Sequence, residues 1–174
     1  KNAAGERVVE GVDYSVKNGL AVVEVSMSLP VVGAAYQLRY TVNGSGKIQV
    51  EAFYKPEKEK IPLLPKFGMR MRLPSFMDYV KWYGEFENYP DRKTAALVGC
   101  YATDLNSFVT DYAFPQDNAN RCDVRWFSLN DKEGRTIKVT GLQPLCFRVW
   151  PYGEEDLEKN RHAYELPVRD YVNV

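Results

Sequence analysis

Histidine is almost missing from this chain, with His162 its only one. A serine or cysteine nucleophile needs a base beside it, and there is no Gly-x-Ser-x-Gly turn. A Walker loop and a Gly-rich dinucleotide turn are also lacking, which excludes the common phosphate-cradling schemes. Neither a Cys-x-x-Cys nor a paired His occurs, so a zinc site is excluded. No apolar run approaches the roughly 18 residues of a membrane-spanning helix. Net charge is lacking too: 23 Lys plus Arg balance 23 Asp plus Glu. Phosphate binding needs a basic excess or stripe, so a nucleic-acid partner is disfavoured. The opening KNAAGERVVEG has no initiator Met and none of the basic-then-apolar build of a signal peptide, and suggests a piece of a longer chain. Cysteines are few: Cys100, Cys122 and Cys146, each in an apolar or strand-like context. Buried free thiols are the expectation, with a disulfide pair plus one free thiol as the alternative. Free thiols lean towards the cytoplasm without excluding a periplasm.

What is there is alternation. Val23, Val25, Met27 and Leu29 alternate with Glu24, Ser26 and Ser28, as do Tyr36, Leu38, Tyr40 and Val42 with polar neighbours. After Asn43-Gly44-Ser45-Gly46 the pattern resumes at Ile48, Val50, Ala52 and Tyr54, which predicts a β-hairpin. Phe67, Met69, Met71 and Leu73 predict another strand, and further strands are expected near 94–102, 121–130, 135–140 and 145–150. Asp131-Lys132-Glu133-Gly134 reads as a turn, and Lys55–Lys66 as an exposed connection. Only Gly153–His162 reads as a helix, with acids first and bases last as the helix dipole favours. His162 then serves as a cation at the helix end rather than as a catalyst. With 45% hydrophobic residues, the 174-residue chain predicts an all-β fold: one large antiparallel β-sandwich domain with long loops. Tyr171-Val172-Asn173-Val174 looks like the start of a strand, so the sandwich is expected to be incomplete at its C-terminus.

Two loops concentrate polar and aromatic groups: WYGEFENYPDR at 82–92 and PQDNANRCDVRW at 115–126. Glycoside hydrolysis needs only two carboxylates, about 5–5.5 Å apart for retention or roughly 6.5–9.5 Å for inversion. Glu85 and Glu87, two apart, would lie about 7 Å apart on one strand face, with Asp91 nearby. Acid pairs at that spacing are common on wet surfaces, so the bland reading outweighs catalysis. Asn88 and Pro90 suit a hydrogen-bonded turn, and Arg92 can fork onto a carboxylate or carbonyls. Trp82 and Tyr83 are either core or stacking platforms for a sugar, with core favoured for Trp82. The second loop is either a structured turn or the polar wall of a pocket.

Taken together, LPKFGMRMRLP (64–74) and these two loops resemble the C-terminal domain of glycoside hydrolase family two β-galactosidases, the small chain or domain five. Order and spacing match from about residue 14 onward. The resemblance implies a galactose mutarotase-like supersandwich without catalytic residues of its own. It implies a parent enzyme that hydrolyses terminal β-galactosides with retention, using two glutamates in a separate (β/α)8 barrel. Magnesium, and often sodium, would belong to that barrel, and none to this domain. Partners implied are the barrel and other domains of the same chain, further copies in a homo-oligomer, and a β-galactoside. No nucleic acid or membrane is implied. A Gly-rich Asp-Asp-Ser-Trp-like loop should follow a strand like YVNV, where this chain stops. Candidates for binding substrate or supporting its pocket are Tyr83, Glu87, Asn88, Tyr89, Asp91, Arg92, Gln116, Asn118, Asn120 and Arg121. Two departures stand out. Gly84-Glu85-Phe86-Glu87 is two residues short of the family's usual Gly-Pro insertion, through a true deletion or through residues absent from this sequence. Ala119 stands where a glycine is common, which puts a positive backbone angle in doubt. A stand-alone sugar-binding module with Trp82, Tyr83 and Tyr89 as stacking groups is the rival reading. A mutarotase-type epimerase comes third, because its acid would have to be His162.

Overall fold

The computed structural model describes residues 5–57, 64, 66–86, 97–109, 119–160 and 162–174. It is all-β and antiparallel, with no closed barrel among the described residues. Two compact units are present, Lys1–Phe67 and Gly68–Val174.

The first unit is a meander of β1 (Val8–Lys17), β2 (Leu20–Leu29), β3 (Ala34–Asn43) and β4 (Ile48–Pro56), each paired with its sequence neighbour. Asn18 and Gly19 both have positive φ, 53° and 74°, which suits a two-residue hairpin turn. The predicted 36–42/48–54 hairpin is present. Asn43 Oδ1 accepts from the backbone N–H of Ser45 and Lys47, each at 3.0 Å, and Gly46 takes the positive φ. Alternation puts Val12, Tyr14 and Val16 on the same face as Val23, Val25, Tyr40 and Val50. That face is apolar but open along β1, where Tyr14 is 83% exposed and Val16 75%.

The second unit holds a sheet of order β7-β6-β8-β9, from β6 (Tyr79–Glu85), β7 (Val98–Asp104), β8 (Arg121–Asn130) and β9 (Thr136–Phe147). A two-stranded pair, β5 (Arg72–Pro74) with β10 (Tyr171–Asn173), completes its strands. Val80, Trp82, Val124, Phe127 and Leu129 point to one side and form a buried cluster with Phe108, Phe147, Val149 and Val172. Each such side chain contributes roughly 1.5–3 kcal/mol by leaving water.

Several expectations need correction. The strand expected from Phe67 shrinks to Arg72–Pro74, because its ladder reaches no further than the Met71–Val174 pair of backbone hydrogen bonds. The strands expected at 135–140 and 145–150 are one strand to Phe147, followed by a bridge at Trp150. Gly141 explains the continuity: a Cβ there would lie 2.3 Å from Gln143 O, so the strand bends sharply instead of breaking. The strand expected at 94–102 is observed over Val98–Asp104, and residues 94–96 lie outside the described set, as does most of 58–65. A short helix that the sequence reading lacks, α1, spans Leu105–Phe108, and the expected Gly153–His162 helix is shorter, α2 at Glu154–Lys159. His162 does not end it. Its backbone N–H instead donates to Glu165 Oε2 at the head of a 3-10 turn, Ala163–Glu165, because Asn160 has already left helical angles. The chain's last strand is paired with β5 rather than left as a free edge.

The cysteines also differ. Cys122 and Cys146 form a disulfide, while Cys100 is free and exposed. Antiparallel register explains the pair: Arg121 faces Phe147, which sets the next residues, 122 and 146, opposite each other.

Candidate functional site

Strand β6 runs through the motif that suggested a site. Its alternation sends Trp82 inward, 1% exposed, and Tyr83 outward, 38% exposed. Trp82 Nε1–H donates to Glu85 O at 2.8 Å, and its ring packs on Tyr101, Phe108 and Phe147. Such a ring offers no face to a sugar, which removes Trp82 from the stacking set and confirms it as core. Gly84 is required by packing, since a Cβ there would fall 2.8 Å from Val124 Cα.

Arg121 opens β8 and is 2% exposed, yet it carries a charge. Its guanidinium lies 3.9 Å from the Phe108 ring centroid, 5.3 Å from Trp82 and 5.8 Å from Phe86. Stacking of this kind suits the weakly hydrated guanidinium. Nη1–H donates to Ala119 O at 2.6 Å and Nη2–H to Phe108 O at 3.4 Å. One side chain thus ties the backbone on either side of residues 110–118. Ala119 adopts φ 58° without being a glycine. Its methyl is fully buried in the core cluster, which offsets the left-handed strain. Asn120, 7% exposed, donates from Nδ2 to Cys122 Sγ at 3.0 Å.

Of the ten candidates, Asn120 and Arg121 come together in this buried neck, while Tyr83 sits on the opposite face of the sheet. There it shares the outer surface with its cross-strand partner Trp126. Arg125 lies over Tyr83 at 5.5 Å and Lys138 over Trp126 at 4.4 Å. Glu87, Asn88, Tyr89, Asp91, Arg92, Gln116 and Asn118 lie outside the described residues, and so does the Glu85–Glu87 separation. No grouping of three or more His, Cys, Asp or Glu able to hold a cation occurs among the described residues.

Sequence reasoning missed the cage ring Phe108, which carries no local signal beyond the Asp104 cap that starts α1. Asp104 Oδ1 accepts from Ser107 N–H at 2.9 Å, and the Ser107 bonds hold the carboxyl below its ordinary pKa. It also missed the ion network around α2. Arg70 forks onto Glu155 at 2.8 and 3.1 Å, Arg148 reaches Glu154 at 2.7 Å, and Arg169 pairs with Asp156. The hydrogen bonds from Arg70 bring Glu155 down to about 2 from 4.5, and Arg169 lowers Asp156 likewise.

The family described as "Beta galactosidase small chain" matches residues 2–174. The chain belongs to the β-galactosidase small-chain family. Among its relatives is a β-galactosidase of Priestia megaterium, 31% identical over 100% of this chain and 17% of its own length. A β-galactosidase of Halalkalibacterium halodurans is 34% identical over 78% of this chain and 14% of its own. That of Lactobacillus delbrueckii subsp. bulgaricus is 31% identical over 95% and 17%. This small-chain sequence therefore spans about a sixth of the length of relatives it matches.

Proposed function

We propose that residues 1–174 act as one non-catalytic β-sandwich domain of a β-galactosidase. The parent would hydrolyse terminal non-reducing β-D-galactose residues with retention, through two glutamates of a barrel outside this sequence. This domain would support the barrel and its sugar pocket, with the other domains, further copies of the chain and a β-galactoside as partners. Magnesium and sodium would be held by the barrel. The observation that carries the reading is the family match over nearly the whole chain, in relatives about six times longer that are named β-galactosidases. The Arg121 cage supports it, because its donors are directed at backbone carbonyls inside the fold rather than outward. Turnover of a nitrophenyl galactoside is expected from the full-length protein and not from residues 1–174. Turnover by the isolated chain that disappears on mutating Glu85 or Glu87 would refute the proposal.

The second reading, a sugar-binding module, draws on the exposed Tyr83 beside Trp126. It ranks lower because the ring faces already carry Arg125 and Lys138. Calorimetry with galactose and lactose distinguishes the two. Saturable heat that is lost in Tyr83→Ala supports the module, and silence up to tens of millimolar removes it.

A further inference from the structure

We propose that Cys122–Cys146 is a thiol–disulfide exchange site, reduced by a dithiol that attacks Cys146, and that its state sets how tightly β8 and β9 are joined beside Arg121. Three independent features carry this. First, the two residues differ in access: Cys122 is 1% exposed, whereas Cys146 is exposed on β9, the outermost strand of its sheet among the described residues. A reductant arriving from solvent meets Cys146 before the buried Cys122, and access decides which sulfur of a disulfide is attacked. Second, the bridge lies where the ladder is irregular. The register shifts between Arg121 and Val124 and again between Val124 and Trp126, so regular rungs are interrupted on both sides of Val124. There the covalent link fixes the two strands across the irregular stretch. Third, Asn120 Nδ2–H points at Cys122 Sγ from 3.0 Å, in place to stabilise negative charge as that sulfur leaves.

The exchange balances. One thiolate of the dithiol forms a bond to Cys146 Sγ, the Cys122–Cys146 bond breaks, and Cys122 leaves with the electron pair and takes up a proton. The second thiolate of the dithiol then attacks its own sulfur of the mixed disulfide. Cys146 is released and protonated, and the reductant leaves as a disulfide. Two electrons and two protons pass from the dithiol to the cysteine pair. Arg121, adjacent to Cys122, holds the carbonyls of Phe108 and Ala119, so loosening this segment also loosens that neck.

The test uses the full-length protein. Before reduction, an alkylating reagent should label Cys100 and neither Cys122 nor Cys146. After dithiothreitol, Cys146 should label faster than Cys122. Amide hydrogen exchange at Arg121–Val124 and Leu145–Phe147 should then rise by up to about several hundredfold, as expected for losing a cross-link over 24 residues. Oxidised glutathione should restore slow exchange. The exposed-site variant Cys146→Ser should exchange fast with or without reductant, and wild type needs no substitution at all. Labelling of both cysteines without reductant, a pair that dithiothreitol leaves intact in the folded protein, or reduction with unchanged exchange would each overturn the proposal.

Discussion

Replacing Gly84 by alanine tests whether the glycine of the Trp-Tyr-Gly motif serves packing. A β-carbon at 84 would meet Val124 Cα and Cγ2 at 2.8 Å and Asp123 O at 3.1 Å. Carbon pairs settle at about 3.5–4.0 Å, so the overlap is about 0.7 Å or more. Two of these contacts are backbone atoms, and Val124 is fully buried in a strand paired with β9 on its far side, so it has nowhere to retreat. Overpacking of this kind costs about 1–3 kcal/mol. Removing a glycine from the unfolded chain returns about 0.4–1 kcal/mol. The net loss expected is therefore about 1–2 kcal/mol. Urea melts of residues 1–174 followed by tryptophan fluorescence read it, because Trp82, Trp126 and Trp150 all lie in the second unit. With a slope of roughly 1–3 kcal/mol per molar, the midpoint should fall by about 1 M. Gly68→Ala is the control, since nothing lies within 4 Å of its added carbon. If Gly84→Ala melts together with Gly68→Ala, the packing argument fails.

Trp82→Ala should destabilise the second unit by about 3–5 kcal/mol, read in the same melts by circular dichroism. A loss below 1 kcal/mol would mean the ring is not core. Ala119→Gly should change stability by less than about 1 kcal/mol, because relief of left-handed strain is offset by a lost buried methyl and a freer unfolded chain. Glu155, held at about 2, contributes stability above pH 4.5 that is lost as pH falls towards 2. With its side chain 58% exposed, solvent screening limits this to less than about 1 kcal/mol. Wild type and Glu155→Gln should differ in urea midpoint at pH 6 and converge near pH 2; a constant gap would exclude the Arg70 pair as its source.

Strands with period-two alternation were legible wherever both neighbours lay close in sequence. The Tyr36–Tyr54 hairpin and the strand Arg121–Asn130 appear where the pattern put them. Legibility failed where pairing is distant. Alternation from Phe67 continues past the end of its ladder, since side-chain pattern does not encode how many rungs a partner 100 residues away supplies. It failed again at Gly141, where a bend and a break have the same residue signature. For the candidate site, alternation correctly separated Trp82 from Tyr83. Nothing local could announce that Arg121 would be buried between rings of β6 and α1, because that cage joins segments about 13 and 40 residues away. The disulfide was open to reasoning only through strand register, which in turn depended on where the β8–β9 pairing shifts.

The two kinds of pairing also differ in time. Strands β1 to β4 join only sequence neighbours, so their hairpins can form on the scale of about 1–10 μs each. Pairing of β5 with β10 must wait until Tyr171 has been made, which at about 5–20 residues per second comes several seconds after Pro74. During synthesis β5 therefore stands for seconds without its partner, and Leu73, buried in the finished structure, has yet to meet Val172 across the ladder. That interval is when this edge is open to wrong pairing and to capture by a chaperone.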